Sequence, residues 1–425
     1  MTTEASKPVD GAAEAVQLPL LSAPRAEVFL VETEEQLAEA VETLGAGSGW
    51  FAVDAERASG FKYSQRAYLI QVYRQGSPIY LIDPAAIAPV LSAEPFKDLA
   101  RVMRTDGWIL HAASQDIPCL RELGLVGPEL FDTELGSRIA GLPRVGLGTV
   151  TENLLSLRLA KEHSAVDWSI RPLANDWLIY AALDVDVLFE LKDALEALLK
   201  EQGKLDWAKQ EFAASLGAQP KAPKVDKWRG MTGLHEVKEP RRLAVARELW
   251  AAREQLALKL DVSPGRLIPD ASIVSVAKAT PKTKPELAGN RSFVGRASRT
   301  YLDLWWKAIQ DGSSTNDLPT LKVASVGIPN HRIWPSRFPE ADARLKATRP
   351  VLAEIAEANN LPAENLLTPD FLRQICFEPP ALDAEAISTA LLSLGARPWQ
   401  TQLVSGPLTE ALMVVASEES SQTAR

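Results

Sequence analysis

The first half of the chain alternates short apolar runs with longer segments whose apolar residues recur every third or fourth position. Apolar runs bounded by turn residues are typical of buried strands, and the longer spacing is typical of amphipathic helices. Strands are predicted over 27–31, 50–56, 67–73, 78–84 and 108–114, and helical segments fill 133–215. Three of these strands follow one another closely, between 50 and 84, and predict a meander. This half is expected to be a mixed α/β domain with its strands early.

The second half is helical throughout and suggests an internal repeat. A long helix with a 3.6-residue period is predicted at 240–261, and a similar one at 342–360. Pro269-Asp270 and Pro369-Asp370 stand 100 residues apart, each before a further helix, which indicates a degenerate duplication. The predicted organisation is a disordered lead-in at 1–25, an α/β domain at 26–215, a linker at 216–227, a helical domain at 228–311, a linker at 312–337, a second helical domain at 338–415 and a tail at 416–425.

Two acidic residues interrupt the apolar pattern of one strand. The stretch F-A-V-D-A-E-R at 51–57 places Asp54 and Glu56 two residues apart, on the same face of the strand. Two neighbouring carboxylates on a buried strand are unfavourable unless a counter-charge neutralises them. The pattern alone is equally typical of a strand with one face in water, so its meaning depends on residues further along the chain.

Three more polar residues fall where they can join this pair. Asp116 follows the strand at 108–114 at the start of a helix, although an Asp there is often only a helix cap. Tyr180 and Asp184 are four residues apart and share one face of an apolar helix. A cluster of carboxylate oxygens suits Mg²⁺ or Mn²⁺ rather than zinc. Two such ions can activate water and stabilise the leaving oxygen of a phosphodiester, with Asp54 as the expected bridging carboxylate and the Tyr180 hydroxyl orienting the water.

The charge is unevenly distributed along the chain. The net charge is -9, but residues 228–311 hold 15 Lys/Arg and 9 Asp/Glu, which makes this segment +6. Residues 1–227 carry -11, 312–337 carry +2 and 338–425 carry -6. The middle block is therefore where contact with a polyanion is expected, with an ordinary solvated helical surface as the alternative.

Composition excludes several classes of protein. The chain has 425 residues, and none of its apolar runs is long enough for a transmembrane helix. It shows no secretory signal pattern, and its two cysteines, Cys119 and Cys376, are far apart without a C-x-x-C motif. A disulfide framework or a cysteine zinc site is not expected, and a cytoplasmic location fits the cysteine usage.

The motifs together resemble a known family. D-A-E on a strand, "HAASQD" and "DWSIRPL…YAALD" resemble the three exonuclease motifs of the DEDD superfamily, in its Tyr-bearing subgroup. "KEHSAVDWSIRPL" at 161–173 resembles ribonuclease D, and 228–311 resembles the HRDC domain that follows the nuclease in that family. Residues 338–415 resemble a second, diverged HRDC-like domain. The resemblance implies an RNase H-like α/β exonuclease domain followed by all-α HRDC-type domains.

The resemblance also implies roles for individual residues in a 3′→5′ exonuclease that uses two metal ions. Asp54, Glu56 and Asp184 would bind the ion that carries the catalytic water. Asp54 would also bind the second ion, supported by Asp116 directly or through water. Tyr180 would position the attacking water.

Four further residues are candidates for substrate contact, three of them with a structural alternative. Gln71 either lines the site of the 3′ nucleotide or is a polar residue at a sheet edge. His111 either touches substrate or forms hydrogen bonds behind the site. Trp168 either stacks on a base or packs the final helix in place, and Arg171 is a candidate for gripping phosphate. Whether Phe61 and Tyr63, after the D-A-E strand, grip the terminal base is left open.

The expected function is trimming of RNA 3′ ends with release of 5′-mononucleotides. The family suggests precursors of transfer RNA as the substrate. A DNA 3′→5′ exonuclease and a catalytically silent nucleic-acid-binding scaffold are the alternatives. No membrane association and no obligate protein partner are expected.

Overall fold

A computed structural model describes residues 18–160, 166–219, 225–321 and 327–423. The segments 161–165 (the start of the "KEHSAVDWSIRPL" motif), 220–224 and 322–326, and most of the predicted lead-in, lie outside the described residues. The chain forms three units, called here the α/β unit (18–219), the middle helical unit (225–321) and the C-terminal helical unit (327–423).

The α/β unit is built on a mixed six-stranded sheet. The described part of the unit contains eight strands, six in this sheet and two, β1 and β8, in a separate pair. They are β1 (Leu20–Leu21), β2 (Val28–Val31), β3 (Phe51–Arg57), β4 (Ala67–Arg74), β5 (Ile79–Ile82), β6 (Trp108–Leu110), β7 (Leu130–Asp132) and β8 (Arg158–Leu159). The order in the main sheet is β2-β5-β4-β3-β6-β7. Strands β3, β4 and β5 pair antiparallel in succession, so the predicted meander is confirmed, while β2, β6 and β7 pair parallel.

Helices cover both faces of this sheet. They are α1 (Glu34–Ala46), α2 (Pro84–Ile87), α3 (Lys97–Met103), α4 (Ile117–Glu122), α5 (Thr133–Ile139), α6 (Leu147–Leu155), α7 (Asn175–Asp186), α8 (Leu188–Glu201) and α9 (Leu205–Gly217). Alternate residues of β3 enter different cores: Phe51 and Val53 lie in the core with α1 and α3, whereas Ala52 lies in the core with α7 and α8. A mixed sheet flanked by helices, expected from the alternating pattern, is thereby confirmed.

Three successive helices occur in the same order in the two helical units. The middle unit contains α10 (Pro240–Leu260), α11 (Pro264–Leu267), α12 (Asp270–Ala279), α13 (Lys284–Ala288), α14 (Arg296–Thr300) and α15 (Leu302–Ser314). The C-terminal unit contains α16 (Trp334–Arg337), α17 (Pro339–Ala358), α18 (Ala363–Leu366), α19 (Pro369–Phe377), α20 (Ala384–Leu394) and α21 (Pro398–Thr423). A long helix, a four-residue helix and a helix starting at a Pro-Asp pair follow one another in both units.

The two helical units differ in how their cores are formed. The middle unit has its own core around Trp305, which is fully buried. The core of the C-terminal unit is continuous with that of the α/β unit. At this junction the rings of Trp207 and Trp399 stack with centroids 4.9 Å apart, and the Trp399 indole N–H donates to Glu211 at 3.0 Å.

Several segments are more ordered than the apolar pattern predicted. Residues 20–21 of the expected lead-in form β1 beside β8, and Arg25 forms an ion pair with the buried Asp186 at 3.1 Å. Helix α16 lies in the segment 312–337 predicted as a linker, and α21 continues to Thr423 through the predicted tail. Strands β1, β7 and β8 were not predicted, because runs of two or three residues are too short to show an alternation of apolar and polar positions. The division into domains stays a prediction with these edges shifted.

Among the described residues, no helix combines the length and the apolar character needed to cross a membrane.

Candidate active site

The site lies on the part of β3 that extends beyond its neighbouring strand β6. Strand β6 pairs with β3 only at Phe51 and Ala52, so in the described chain the part of β3 that carries Asp54 and Glu56 has no partner strand on that side. The chain after β6 fills this space and places Asp116, which is buried, at the start of α4. Sheet topology therefore brings a third carboxylate to the two on β3.

Helix α7 packs over the same face of the sheet and supplies the remaining groups. Ala181 and Ala182 of α7 are buried in the core that covers this face, and their small side chains let the helix lie close to β3. One carboxylate oxygen each of Asp54, Glu56 and Asp184 lie within 4.8 Å of one another. The Tyr180 hydroxyl, one helical turn before Asp184, donates a hydrogen bond to that carboxylate.

Burial raises the pKa of all four carboxyl groups, and repulsion between them adds to the rise for three. Burial, opposed by Arg57, raises the pKa of Asp54 to about 6. Burial and the charge of Asp54 raise the pKa of Asp116 to about 9, and they raise those of Glu56 and Asp184 well above their ordinary values. Burial and the neighbouring Asp184 also raise the pKa of Tyr180, so its hydroxyl keeps its proton at neutral pH. The positive charge of Arg57 therefore does not offset the burial of Asp54, Glu56 and Asp116.

This donor set fits divalent cations with a preference for oxygen. Three converging carboxylate oxygens, with a fourth carboxylate electrostatically coupled to them, match the ligands that Mg²⁺ and Mn²⁺ take in proteins. A bound cation would stabilise the charged form of these carboxylates against burial and repulsion. The arrangement answers the question raised by the acidic pair on β3: its charges are placed to share a cation.

Each of the three units matches a protein family model. Residues 28–200 match the family model described as 3′-5′ exonuclease, 242–309 match the HRDC domain, and 327–412 match the model described as 3′ to 5′ exonuclease C-terminal domain. A curated ribonuclease D from Bartonella henselae is 29% identical over 290 residues, 67% of this chain and 68% of that protein. One from Acidiphilium cryptum is 28% identical over 370 residues, 83% and 87% of the two chains.

Solved structures agree with the family models. A crystal structure of a protein from Bifidobacterium adolescentis is 36% identical, covers 93% of this chain and 100% of its own, and superposes with a TM-score of 0.85. Escherichia coli RNase D has the same fold, with 23% identity, coverage of 92% and 99%, and a TM-score of 0.65. The chain belongs to the ribonuclease D family of 3′–5′ exonucleases. The carboxylate cluster accordingly lies in a nuclease domain.

Gln71 lies beside the nuclease carboxylates in the middle of the sheet. It is the residue of β4 directly opposite Asp54, so the two side chains share a face. Gln71 is fully buried, and within the described residues both polar atoms of its amide lack a hydrogen-bond partner. It is therefore a central-strand residue rather than the sheet-edge residue that was the alternative.

His111 forms a hydrogen bond with a residue outside the carboxylate cluster. Its Nδ1 lies 2.9 Å from the Thr133 hydroxyl, and burial lowers the pKa of the ring to about 4. The imidazole is therefore neutral at pH 7. The contact with Thr133 matches the hydrogen-bonding alternative; direct substrate contact stays a prediction.

Arg171 and Trp168 are both engaged by other residues of the nuclease domain. The guanidinium of Arg171 donates to the buried Asp83 carboxylate through Nε and Nη2 and to the carbonyls of Trp168, Ile170 and Tyr68. These five bonds use all five guanidinium donors, so none is left for phosphate. The Trp168 ring is fully buried and packs edge-on against Trp177, with centroids 5.6 Å apart. Packing that holds α7 in place was the alternative for Trp168, and the burial of its ring matches it.

Asp132 is a residue of the nuclease domain that the sequence reasoning missed. Its buried carboxylate accepts from the backbone N–H groups of Ala112 and Ala113 at 3.0 and 2.9 Å, and from those of Glu134 and Leu135. It thereby caps α5 and holds the turn that leads to Asp116. Asp followed by Thr-Glu after an apolar run is a helix-cap signal that marks only the first of these roles.

Proposed function

We propose that this protein is a metal-dependent 3′→5′ exoribonuclease that releases 5′-mononucleotides from RNA 3′ ends. The observation that carries the proposal is the convergence of Asp54, Glu56 and Asp184 oxygens within 4.8 Å, on a domain of the 3′-5′ exonuclease family. The relatives named ribonuclease D, and the E. coli RNase D described as an exoribonuclease involved in structured RNA processing, support RNA as the substrate.

Each polar group of the site has a role in this proposal. Asp54, Glu56 and Asp184 would hold the cation beside the attacking water, and Asp54 with Asp116 would hold a second cation. Bound divalent cations supply an activated water and neutralise charge that develops on the phosphodiester. Tyr180, fixed by its bond to Asp184, would orient the water against the terminal phosphate. Gln71 would lie beneath the 3′ nucleotide, next to Asp54.

The charge distribution supports different roles for the nuclease domain and the middle helical unit. The nuclease half carries -11 and repels a polyanion, whereas residues 228–311 carry +6. The middle helical unit would therefore hold the body of the RNA while its 3′ end reaches the carboxylates. Precursors of transfer RNA are the proposed substrates. A cytoplasmic location is proposed as well, because the thiols of Cys119 and Cys376 are free and buried, as in proteins of reducing compartments.

The Asp54→Ala variant tests the mechanism. Wild-type protein with Mg²⁺ or Mn²⁺ is expected to release 5′-mononucleotides from labelled single-stranded RNA, and the variant to lose this activity, by a factor of about 1,000 or more, while keeping its circular dichroism spectrum. Asp98→Asn, at an exposed position of α3 where the carboxylate pairs with Arg101, is the matched control and should keep full activity.

Three results would count against the proposal. Undiminished activity of Asp54→Ala would exclude the carboxylate mechanism. Faster cleavage of a DNA strand of the same sequence would replace RNA with DNA as the substrate, and intact RNA with either metal would favour a binding scaffold.

A further inference from the structure

The middle helical unit contacts the nuclease domain through the segment that directly follows the catalytic strand, residues 58–66. The Ser263 N–H donates to the carbonyl of Phe61 at 2.9 Å. The Arg266 guanidinium lies 4.1 Å from the centroid of the Phe61 ring, and its Nε donates to the carbonyl of Gly60 at 2.7 Å. Phe61, whose role the sequence left open, is thus engaged by the helical unit rather than left free for a base.

Asp261 makes the most concentrated of these contacts. Its carboxylate accepts from the Ser64 N–H at 2.8 Å and from the Tyr68 hydroxyl at 3.2 Å. The Lys62 ammonium lies 4.0 Å from the same carboxylate. One side chain of the helical unit therefore contacts Lys62 and Ser64 in the segment that joins β3 to β4, and Tyr68 near the start of β4.

The backbone at Asp261 adopts a conformation that glycine would adopt more easily. Asp261 ends α10 with a φ of +47°, in the left-handed region where a side chain is strained. Glycine is the usual residue at this position of a helix end. A strained Asp is explained if its carboxylate is needed for the contacts with Ser64 and Tyr68.

Tyr68 extends the contact to the opposite wall of the nuclease site. Its carbonyl accepts from Arg171 Nη2 at 2.8 Å, and Arg171 Nη1 donates to the carbonyl of Trp168 at 2.7 Å. The Trp168 ring packs 6.5 Å, centroid to centroid, from the ring of Tyr180. Hydrogen bonds and packing therefore run from Asp261 to the segment that positions the tyrosine of the site.

We propose that Asp261 is a positioning residue, through which the helical unit holds both walls of the nuclease site in place for cleavage. One wall is the segment after Glu56, and the other is the segment ahead of α7. The proposal rests on the proposed nuclease function and deepens it, because the helical unit then acts on the chemical step as well as on RNA binding.

The test uses Asp261→Gly, which removes the carboxylate and relieves the backbone strain, so the helical unit keeps its fold. Thr280→Gly is the matched control: Thr280 also ends a helix of this unit, with a φ of +45°, and its hydroxyl donates within its own helix, to the carbonyl of Ala277.

The substrate is a diribonucleotide with Mg²⁺, whose contacts are confined to the neighbourhood of the carboxylates. We expect Asp261→Gly to lower kcat about 10-fold, with KM within about twofold, as for a small misplacement of catalytic groups. Thr280→Gly should match wild type.

Asp261→Asn distinguishes the carboxylate from the backbone. Asn tolerates the left-handed region and keeps one acceptor oxygen for the Ser64 N–H, so its kcat should fall between those of wild type and Asp261→Gly. Equal kcat for Asp261→Gly and Thr280→Gly would overturn the proposal and leave Asp261 as an ordinary interface residue.

Hydrogen exchange of the metal-free protein gives a readout that does not depend on activity. Asp261→Gly should exchange faster than wild type at 58–68 and 166–173, and Thr280→Gly should not; unchanged exchange at both segments would also overturn the proposal. If wild-type protein leaves the diribonucleotide intact with Mg²⁺ and Mn²⁺, the nuclease function fails. The exchange result then still decides whether Asp261 orders the two segments.

Discussion

Four carboxyl groups of one site, Asp54, Glu56, Asp116 and Asp184, have pKa values displaced in the same direction, and burial is the largest cause for each. Carboxylates that bind a cation together are expected to destabilise the folded protein when no cation is bound, because lost hydration and repulsion act on their charges. At the scale of single residues, the site is therefore a source of instability in the metal-free protein, and this instability depends on pH.

Asp116 gives a measurable prediction of that dependence. Its pKa in the folded protein is about 9, against an ordinary value of 3.8, so between these values the folded state holds a proton that the unfolded state has lost. Stability should then fall as pH rises through this window, by up to about 1.4 kcal/mol per pH unit. Asp116→Asn should make this fall shallower, as measured by urea unfolding in EDTA between pH 6 and 8.

Two comparisons accompany that measurement. Asp98→Asn, at an exposed position, should leave the pH dependence of wild type unchanged. The idea would be refuted by an equally steep fall in stability for Asp116→Asn and wild type. Added Mg²⁺ should raise the stability of wild type more at pH 8 than at pH 6, since binding then competes with fewer protons.

At the scale of elements, the position of α7 depends on the segment ahead of it. This segment is tied to the sheet by Arg171, which bonds the fully buried carboxylate of Asp83 and three backbone carbonyls. Lys would keep the charge but has no planar fork to replace these bonds. The orientation of Tyr180 and Asp184 thus depends on a residue that touches neither.

Arg171→Lys is expected to lower the free energy of unfolding by about 3 kcal/mol, the scale for disrupting a buried ion pair. It should also reduce kcat, because α7 loses its anchor, while KM for RNA changes little. Urea unfolding and steady-state kinetics on the same preparations check both effects. A large rise in KM with unchanged stability would instead restore the phosphate-binding role first considered for Arg171.

At the scale of the whole molecule, the C-terminal helical unit and the α/β unit share one core. Trp399 packs on Trp207 of α9 and donates to Glu211, and the Lys204 ammonium donates to the carbonyls of Ile139 and Asn360 across the same junction. A shared core means that the two units are stabilised together, although they are separated in sequence by the middle helical unit.

Trp399→Ala should therefore weaken the nuclease domain from a distance along the chain. We expect a loss of about 3–5 kcal/mol, typical of truncating a buried Trp, and faster hydrogen exchange in α5 and α9 as well as α21. Trp305→Ala, in the separate core of the middle unit, is the matched comparison and should raise exchange only in α10–α15. Normal exchange in α5 and α9 of Trp399→Ala would show that the two units unfold independently.

Much of this architecture was predictable from the chain alone, because local patterning records which face of an element is buried. The alternation in 51–57 placed Asp54 and Glu56 on one face of a strand, and the spacing of Tyr180 and Asp184 placed them on one face of a helix. The order of the strands in the meander followed from their short connections. These features depend on residues close together in sequence.

The remaining features depend on which distant residues meet, and periodicity carries no record of that. Trp168 was open between substrate contact and packing, and Arg171 was a candidate for phosphate contact, until tertiary structure buried the ring of one and paired every donor of the other. The same holds for Asp261, which in sequence is one more residue at a helix end. Only folding brings its carboxylate to Ser64 and Tyr68, because those contacts join segments almost 200 residues apart.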